Sequence, residues 1–224
     1  MTDVDTVLFD LDGTLVDTAP DMARALDRVL ADVGRPGLAF DTVRPHVSRG
    51  AAGLLALAFG DALDPGEHER LRQAFLDHYR RDLAAASRPF PGMEALLARL
   101  ERSGLRWGVV TNKPGWLTEP LLDALGLAAR AACIVSGDTL AQRKPDPEPL
   151  LHACARARTR PERAVYVGDD ERDVTAGRRA GMRTYVALFG YLGAGSRPED
   201  WGATALVESP ADIWAHVRPR AEAS

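Results

Sequence analysis

Short apolar runs alternate with longer segments of helical periodicity over most of the 224 residues. The first apolar run begins at Val7, continues through Leu8 and Phe9, and predicts a buried strand that stops by Gly13. Later apolar runs predict further strands at residues 106–111, 132–136, 164–169, 183–188 and 205–207.

Helical periodicity fills the intervals between these strands. One helix is predicted from an N-cap at Thr18 to Gly34, and two more at residues 51–59 and 67–83, with no convincing strand between residues 17 and 86. Beyond residue 91, predicted helices at 93–102, 116–125 and 148–158, and one ending near Gly181, alternate with the strands.

This alternation predicts an α/β fold with a Rossmann-like parallel sheet core and helices on both faces. We assign residues 1–16 and 87–224 to the α/β catalytic core. Residues 17–86 are assigned to a small all-helical cap domain inserted after the first strand.

Polar side chains follow several predicted strands or lie in the loops beside them. They are Asp10 and Asp12 after the first strand, Thr111, Asn112 and Lys113 after the second, Lys144 in a loop, and Asp169 with Asp173 after a later strand. Because the carboxyl ends of parallel strands lie along one sheet edge, where ligands bind, we expect these groups to converge. A simple N-cap or turn role is the alternative for Thr111 and Asp173, and it is the favoured role for Asp170.

Lysine usage points to the same places. Of 28 lysine and arginine residues, only Lys113 and Lys144 are lysines, and both lie beside these strand ends. An ammonium is a compact point charge, whereas a guanidinium is a broad planar fork, so a tight site can require lysine. Chance retention of two lysines in an arginine-rich composition is the alternative.

Paired acids beside a lysine favour phosphoryl transfer. Asp10 as a nucleophile would form an aspartyl-phosphate, but its charge repels the phosphate by roughly 4 kcal/mol at ~4 Å and an effective dielectric of ~20. A Mg²⁺ ion held by Asp10 and Asp169, together with Lys144, would turn this repulsion into a net attraction. Thr111 could donate to a phosphoryl oxygen, and Asp12 could protonate the leaving alcohol and later activate water.

Composition narrows the other function classes. The net charge of −4 gives no reason to expect nucleic-acid binding, and the uncharged run at residues 184–196 is too short for a membrane span. Cys133 and Cys154 are predicted to be buried, reduced thiols.

Residues 1–5 are acidic, unlike a signal peptide, so a cytoplasmic location is expected. The absence of a Gly-x-x-x-x-Gly-Lys loop argues against a P-loop NTPase.

These motifs resemble those of the haloacid dehalogenase superfamily of phosphohydrolases. Asp10-Leu11-Asp12-Gly13-Thr14 is similar to the first motif, Thr111 to the second, Lys144 to the third, and the segment 168–173 to the fourth. The resemblance covers essentially the whole chain, including the helical insert. It implies that the first aspartate is the nucleophile, that the second is the acid/base and also binds Mg²⁺ through its backbone carbonyl, and that Asp173 supports the site. The second aspartate argues against the dehalogenase branch, which lacks it.

Within the superfamily, residues 111–114, 137–147 and 190–191 resemble the phosphoglycolate phosphatases. A sister group, the N-acetylmuramic acid 6-phosphate phosphatases, is similar at residues 107–114, 167–170 and 201–203. The core motifs handle only the phosphoryl group and do not separate these groups. Specificity is predicted to come from Arg49 and Gly50 in the cap, with Asn112 and Lys113 also binding substrate. Arg49 could pair bidentately with a substrate carboxylate, the alternative being a solvated arginine.

The sequence therefore predicts a Mg²⁺-dependent phosphomonoesterase, monomeric or homodimeric, acting on a small phosphorylated metabolite. The expected substrate is 2-phosphoglycolate, and N-acetylmuramic acid 6-phosphate is the alternative. A phosphomutase would share the aspartyl-phosphate. A phospho-accepting receiver domain would share the acids, the threonine and the lysine, but such domains are about half this length and lack the insert.

Overall fold

The computed structural model describes residues 4–60, 63–193 and 195–218. Its strands are β1 (Thr6–Phe9), β2 (Val16–Asp17), β3 (Arg88–Pro89), β4 (Arg106–Val110), β5 (Ile134–Val135), β6 (Ala164–Gly168), β7 (Arg183–Ala187) and β8 (Ala205–Val207). Six of them form one parallel sheet in the order β5-β4-β1-β6-β7-β8. Strands β2 and β3 form a separate antiparallel pair.

Helices connect these strands. They are α1 (Ala19–Asp32), α2 (Phe40–Val43), α3 (Gly50–Phe59), α4 (Pro65–Arg81), α5 (Met93–Arg102), α6 (Gly115–Ala124), α7 (Glu148–Arg156), α8 (Glu171–Arg179) and α9 (Pro210–Val217). A 3-10 turn at Arg44–Arg49 joins α2 to α3, and shorter 3-10 turns lie at Ala128–Arg130, Pro161–Arg163 and Pro198–Asp200. The predicted α/β fold, a parallel sheet covered by helices, is confirmed.

Both faces of the sheet are buried, and successive side chains of each strand point to opposite faces. In β1, Val7 and Phe9 belong to the larger apolar cluster, whereas Leu8 belongs to a smaller cluster on the opposite face. The smaller cluster also contains Cys133 and Cys154, which are free, buried thiols as predicted. The whole of β1 is therefore inaccessible to water, which places the residue after it at the rim of a rigid core.

Helices α1 to α4 all lie between β2 and β3, and Asp17 of β2 pairs with Arg88 of β3. The buried Asp21 carboxylate of α1 accepts hydrogen bonds from the backbone N–H groups of Ala86 and Ser87 and from the Ser87 hydroxyl. The two chain segments that lead into and out of this helical insertion are therefore tied together. The division into core and cap at residues 17–86 stays a prediction.

The structure differs from the sequence prediction mainly in short elements. Strands β2 and β3 and helices α2 and α9 were not predicted, and β5 is two residues long where residues 132–136 were expected. The first strand ends at Phe9 because the backbone turns back at once, with Leu15 N–H donating to the Asp10 carbonyl. Within the described ranges, no helix is both long and apolar enough to cross a membrane.

Candidate active site

The carboxyl ends of three neighbouring strands bring the candidate residues together. Phe9 pairs with Val109 of β4 and with Val167 of β6, so the polar residues that follow these strands share one edge. The turn after Asp10 depends on Gly13, whose φ is +85°. A Cβ at that position would lie closer than 3.0 Å to the Asp169 carboxylate, so glycine is required there for both conformation and space.

A buried lysine lies at the centre of this edge. The Lys144 ammonium is 2.9 Å from Asp10 Oδ1 and 2.8 Å from Asp173 Oδ1. It also donates to the Tyr166 hydroxyl at 2.7 Å and to the Val110 carbonyl at 3.1 Å. Burial alone would lower the pKa of Lys144, but the two carboxylates outweigh it and raise the pKa. The lysine therefore carries its charge at neutral pH.

One oxygen of the predicted nucleophile is left for chemistry. Asp10 Oδ1 accepts from the backbone N–H of Leu11 at 2.7 Å as well as from Lys144. Among the described residues, no donor reaches Asp10 Oδ2, and the residue lines the cavity described below. The carboxylate is thus fixed through one oxygen while the other can act as a nucleophile or a metal ligand.

Three acidic side chains lie close enough to share a cation. Oxygens of Asp10, Asp169 and Asp173 lie within 4.8 Å of one another. Burial raises the pKa of Asp10 to about 6 against the opposing charge of Lys144. Burial, with the negative charges of Asp10 and Asp173, raises the pKa of Asp169 to about 8. Three carboxylates against one ammonium leave an unbalanced negative charge, which is the environment that a divalent cation with oxygen ligands fits.

These raised pKa values predict how pH affects the stability of the metal-free protein. A carboxyl group whose pKa rises on folding from 3.8 to about 8 binds its proton more tightly in the folded state. Stability is then greatest at low pH within this window and falls as pH rises from about 4 to about 8. In EDTA, we expect a lower Tm at about pH 8 than at about pH 6, measured by thermal denaturation. Asp169→Asn should flatten this dependence, and a wild-type Tm that rises over the same interval would contradict the assignment.

Asp12 has a different cation from Asp10. Lys113 Nζ lies 3.0 Å from Oδ1 and 3.1 Å from Oδ2 of Asp12, and the Thr18 hydroxyl donates to Oδ1 at 2.6 Å. Thr111 Oγ1 accepts from the backbone N–H of Lys113 at 3.1 Å, which is the local capping contact weighed as an alternative. Thr111 also lines the cavity, and since Oγ1 is the acceptor in this contact, its hydroxyl hydrogen is not used by it.

A cavity of about 360 Å³ lies between these groups and the helical insertion. Asp10, Asp12, Thr111 and Lys144 line it from the core, and Arg49 and Gly50 line it from the insertion. The roles assigned to these residues stay predictions. The other lining residues include an apolar group. These are Met22, Val47, Phe75, Leu76 and Leu117.

The Asn112 side chain, which is predicted to contact the substrate, bonds to the backbone of Lys144 instead. Its side-chain amide donates to the Lys144 carbonyl at 3.0 Å and accepts from the Lys144 N–H at 3.1 Å. The observed contact of Asn112 is therefore with the loop that carries Lys144. Its substrate-binding role stays a prediction.

The fourth motif divides its acids between two tasks. Asp170 is the N-cap of α8, and its carboxylate and that of Asp173 form a reciprocal capping box, as favoured for Asp170. Asp173 Oδ1 contacts Lys144 while Oδ2 accepts the Asp170 N–H. Asp173 thus holds Lys144 through one oxygen and the start of α8 through the other.

A direct link between the insertion and the core was missed at the sequence level. The Ser48 hydroxyl donates to Asp169 Oδ2 at 2.7 Å, and Arg172 donates to the Ser48 carbonyl at 2.9 Å while gripping Asp170 with two hydrogen bonds. Tyr191 also donates its backbone N–H to Asp169 Oδ2. Ser48 precedes the predicted Arg49, but its partner lies 121 residues away, and no local pattern indicates it.

Comparisons with known proteins agree with this geometry. The family model for haloacid dehalogenase-like hydrolases matches residues 4–181. An N-acetylmuramic acid 6-phosphate phosphatase of Pseudomonas aeruginosa is 45% identical over 207 residues, covering 92% of each chain. A phosphoglycolate phosphatase of Xanthomonas campestris is 46% identical over 208 residues, covering 93% of this chain and 94% of the other. A crystal structure described as a predicted phosphoglycolate phosphatase from Haemophilus somnus superposes with a TM-score of 0.86 at 28% identity, covering 97% of this chain and 100% of that one.

Proposed function

Because the chain belongs to the haloacid dehalogenase-like hydrolases, we propose that it is a Mg²⁺-dependent phosphomonoesterase acting on a small phosphorylated metabolite. The observation that carries this proposal is the Asp10 carboxylate at a cavity, which Lys144 and Leu11 N–H fix through Oδ1, while no donor among the described residues reaches Oδ2. We propose that residues 17–86 act as a cap over that cavity, and that the protein works in the cytoplasm as a monomer or homodimer. The two buried thiols, Cys133 and Cys154, are consistent with a reducing compartment.

In the proposed reaction, Asp10 Oδ2 attacks phosphorus and the bond from phosphorus to the alcohol oxygen breaks. Asp12 gives that oxygen a proton as the alcohol leaves, and Asp10 is left as the aspartyl-phosphate. Asp12 then takes a proton from water, which attacks phosphorus, releases inorganic phosphate and restores the Asp10 carboxylate. Lys144 and Thr111 stabilise the phosphoryl oxygens during both steps.

The acidic cluster fits the proposed metal. Asp10 and Asp169, whose oxygens belong to this cluster, would hold Mg²⁺ through their side chains, and Asp12 would do so through its backbone carbonyl, as the family resemblance implies. The ion would neutralise the phosphate's charge as the nucleophile approaches. Asp173 supports the site by holding Lys144. Ser48, which donates to Asp169, brings the proposed cap into contact with this part of the site.

The first candidate substrate is 2-phosphoglycolate, the substrate named for the Xanthomonas relative. A carboxylate in the substrate would meet Arg49, which lines the cavity from the proposed cap. Substrate contacts of Asn112 and Lys113 stay predictions, since both side chains bond to this chain's own groups.

A second candidate is favoured by the cavity itself. A volume of about 360 Å³ with an apolar wall, which includes Phe75 and Leu76, suits a larger alcohol than glycolate. N-acetylmuramic acid 6-phosphate, named for the Pseudomonas relative, carries methyl groups for that wall and a carboxylate for Arg49. The cavity therefore supports this substrate through contacts that glycolate cannot make.

A phosphate-release panel tests the proposal. Both candidate substrates and common sugar phosphates are compared by kcat/KM, with Mg²⁺ and with EDTA. We expect sustained, Mg²⁺-dependent release and a preference for one of the two carboxylate-bearing esters. Isomerised product without release would indicate a phosphomutase, and stable phosphorylation of Asp10 without turnover would indicate a phospho-accepting domain.

A further inference from the structure

A cation from the core joins the proposed acid/base to the helical insertion. Lys113 Nζ lies 3.0 and 3.1 Å from the two oxygens of Asp12 and 3.0 Å from the hydroxyl of Tyr79, which belongs to α4. An ammonium has three N–H groups, and these three acceptors match them one for one. Lys113 is therefore fully occupied by groups of its own chain.

The surroundings of Lys113 restrict it further. The ammonium lies 4.5 Å from the centre of the Tyr79 ring, and Tyr79 stacks on Phe75 of the same helix with ring centres 6.2 Å apart. Lys113 is 8% exposed and Tyr79 is 1% exposed. Burial raises the pKa of Tyr79 to about 12, so its hydroxyl keeps its proton at neutral pH and presents a neutral oxygen to the ammonium. Ring and hydroxyl both hold the ammonium against Asp12.

We propose that Tyr79 is a positioning residue that orients Asp12 for proton transfer by acting through Lys113. This inference rests on the proposed function, which makes Asp12 the acid/base. It also changes the role predicted for Lys113, from a substrate contact to a support of Asp12. Since Tyr79 belongs to the insertion and Asp12 to the core, the acid/base is correctly placed only when these two parts of the molecule are in contact.

The leaving group provides the test. Tyr79→Phe removes the hydroxyl and keeps the ring, and kcat/KM reports the steps up to release of the alcohol. For 2-phosphoglycolate and N-acetylmuramic acid 6-phosphate, both alkyl esters whose alcohols need a proton to leave, we expect kcat/KM to fall about tenfold, because a misplaced acid loses part of the roughly 10²–10⁴-fold that general acid catalysis contributes. For p-nitrophenyl phosphate, whose leaving group departs without a proton, we expect a change of less than about twofold, because the acid is then not needed.

Two further variants separate positioning from a merely structural role. Tyr185→Phe removes the hydroxyl of another buried tyrosine, on β7 outside the site, and should change neither ester's kcat/KM. Lys113→Met should reproduce the selective loss on alkyl esters, and adding Tyr79→Phe to it should cause no further loss, because the two residues act in one chain of contacts. Because Lys113→Met retains Tyr79, its result tests the inference independently of the stability of Tyr79→Phe.

The outcomes are distinct. Equal losses on alkyl and aryl esters, no loss on either, or additive losses in the double variant would each overturn the role of Tyr79 while leaving the phosphatase proposal intact. A wild-type protein that releases no phosphate from any of these esters would instead overturn the proposed function, and the Tyr79 inference with it.

Discussion

Replacing Asp10 by asparagine is expected to lower phosphate release by about a thousandfold or more, because nucleophile removal in covalent enzymes costs at least this much. The amide retains the shape of the carboxylate but cannot form the aspartyl-phosphate. It can still accept through Oδ1 from Leu11 N–H and Lys144, so the local structure should be retained. Single-turnover and steady-state phosphate assays would measure the loss.

The same variant should not destabilise the metal-free protein. Asp10 is one of three clustered carboxylates, and removing its charge relieves repulsion while Lys144 retains Asp173 as its partner. We therefore expect the Tm in EDTA to be equal to or higher than that of the wild type. Asp123→Asn, which changes an exposed carboxylate on α6, provides the control for the substitution itself. Residual activity within tenfold of the wild type would contradict the role of Asp10 as nucleophile.

Lys144→Arg is expected to lower kcat by about a hundredfold or more, although it conserves charge. The Lys144 side chain is 2% exposed, and its ammonium has four oxygen neighbours at 2.7–3.1 Å. A guanidinium is wider and needs planar partners, so it would displace Asp10 or Asp173. Forcing extra volume into such a packed site also costs about 1–3 kcal/mol of stability.

Kinetics and urea denaturation together measure both effects of Lys144→Arg. The matched control is Arg143→Lys, which makes the reverse exchange at the exposed neighbouring position and should leave the free energy of unfolding nearly unchanged. A Lys144→Arg enzyme with near-normal kcat would show that the lysine is not required for its size. The retention of a lysine at this position of an arginine-rich chain would then reflect chance rather than chemistry.

The centre of the site could be predicted because it depends on a simple topological rule. Asp10, Thr111 and Asp169 each follow a strand of a parallel sheet, and apolar runs locate such strands in the sequence. Once the strands are found, the rule that their carboxyl ends share an edge brings the three residues together. Lys144 follows no strand directly, and it was singled out by its loop beside these strand ends and by the rarity of lysine in an arginine-rich chain.

The contacts between the insertion and the core could not be predicted in this way. Helical periodicity predicts the helix at residues 67–83 that carries Tyr79, but it does not specify which buried polar group Tyr79 meets. Ser48 and Arg172 likewise meet through packing of segments 124 residues apart. Helix α9 is a different case, since Ser209, Pro210 and Asp212 form a recognisable capping sequence that was overlooked.

The burial of both lysines has a consequence for chemical labelling. Lys113 and Lys144 are the only lysines of the chain, and both are less than 9% exposed and paired with carboxylates. An acylating reagent added to the folded protein therefore finds no lysine on the outer surface. Each lysine that it modifies records an opening of the site itself. The labelling rate, followed by mass spectrometry, therefore reports how often the cavity opens. In most enzymes, surface lysines obscure this quantity.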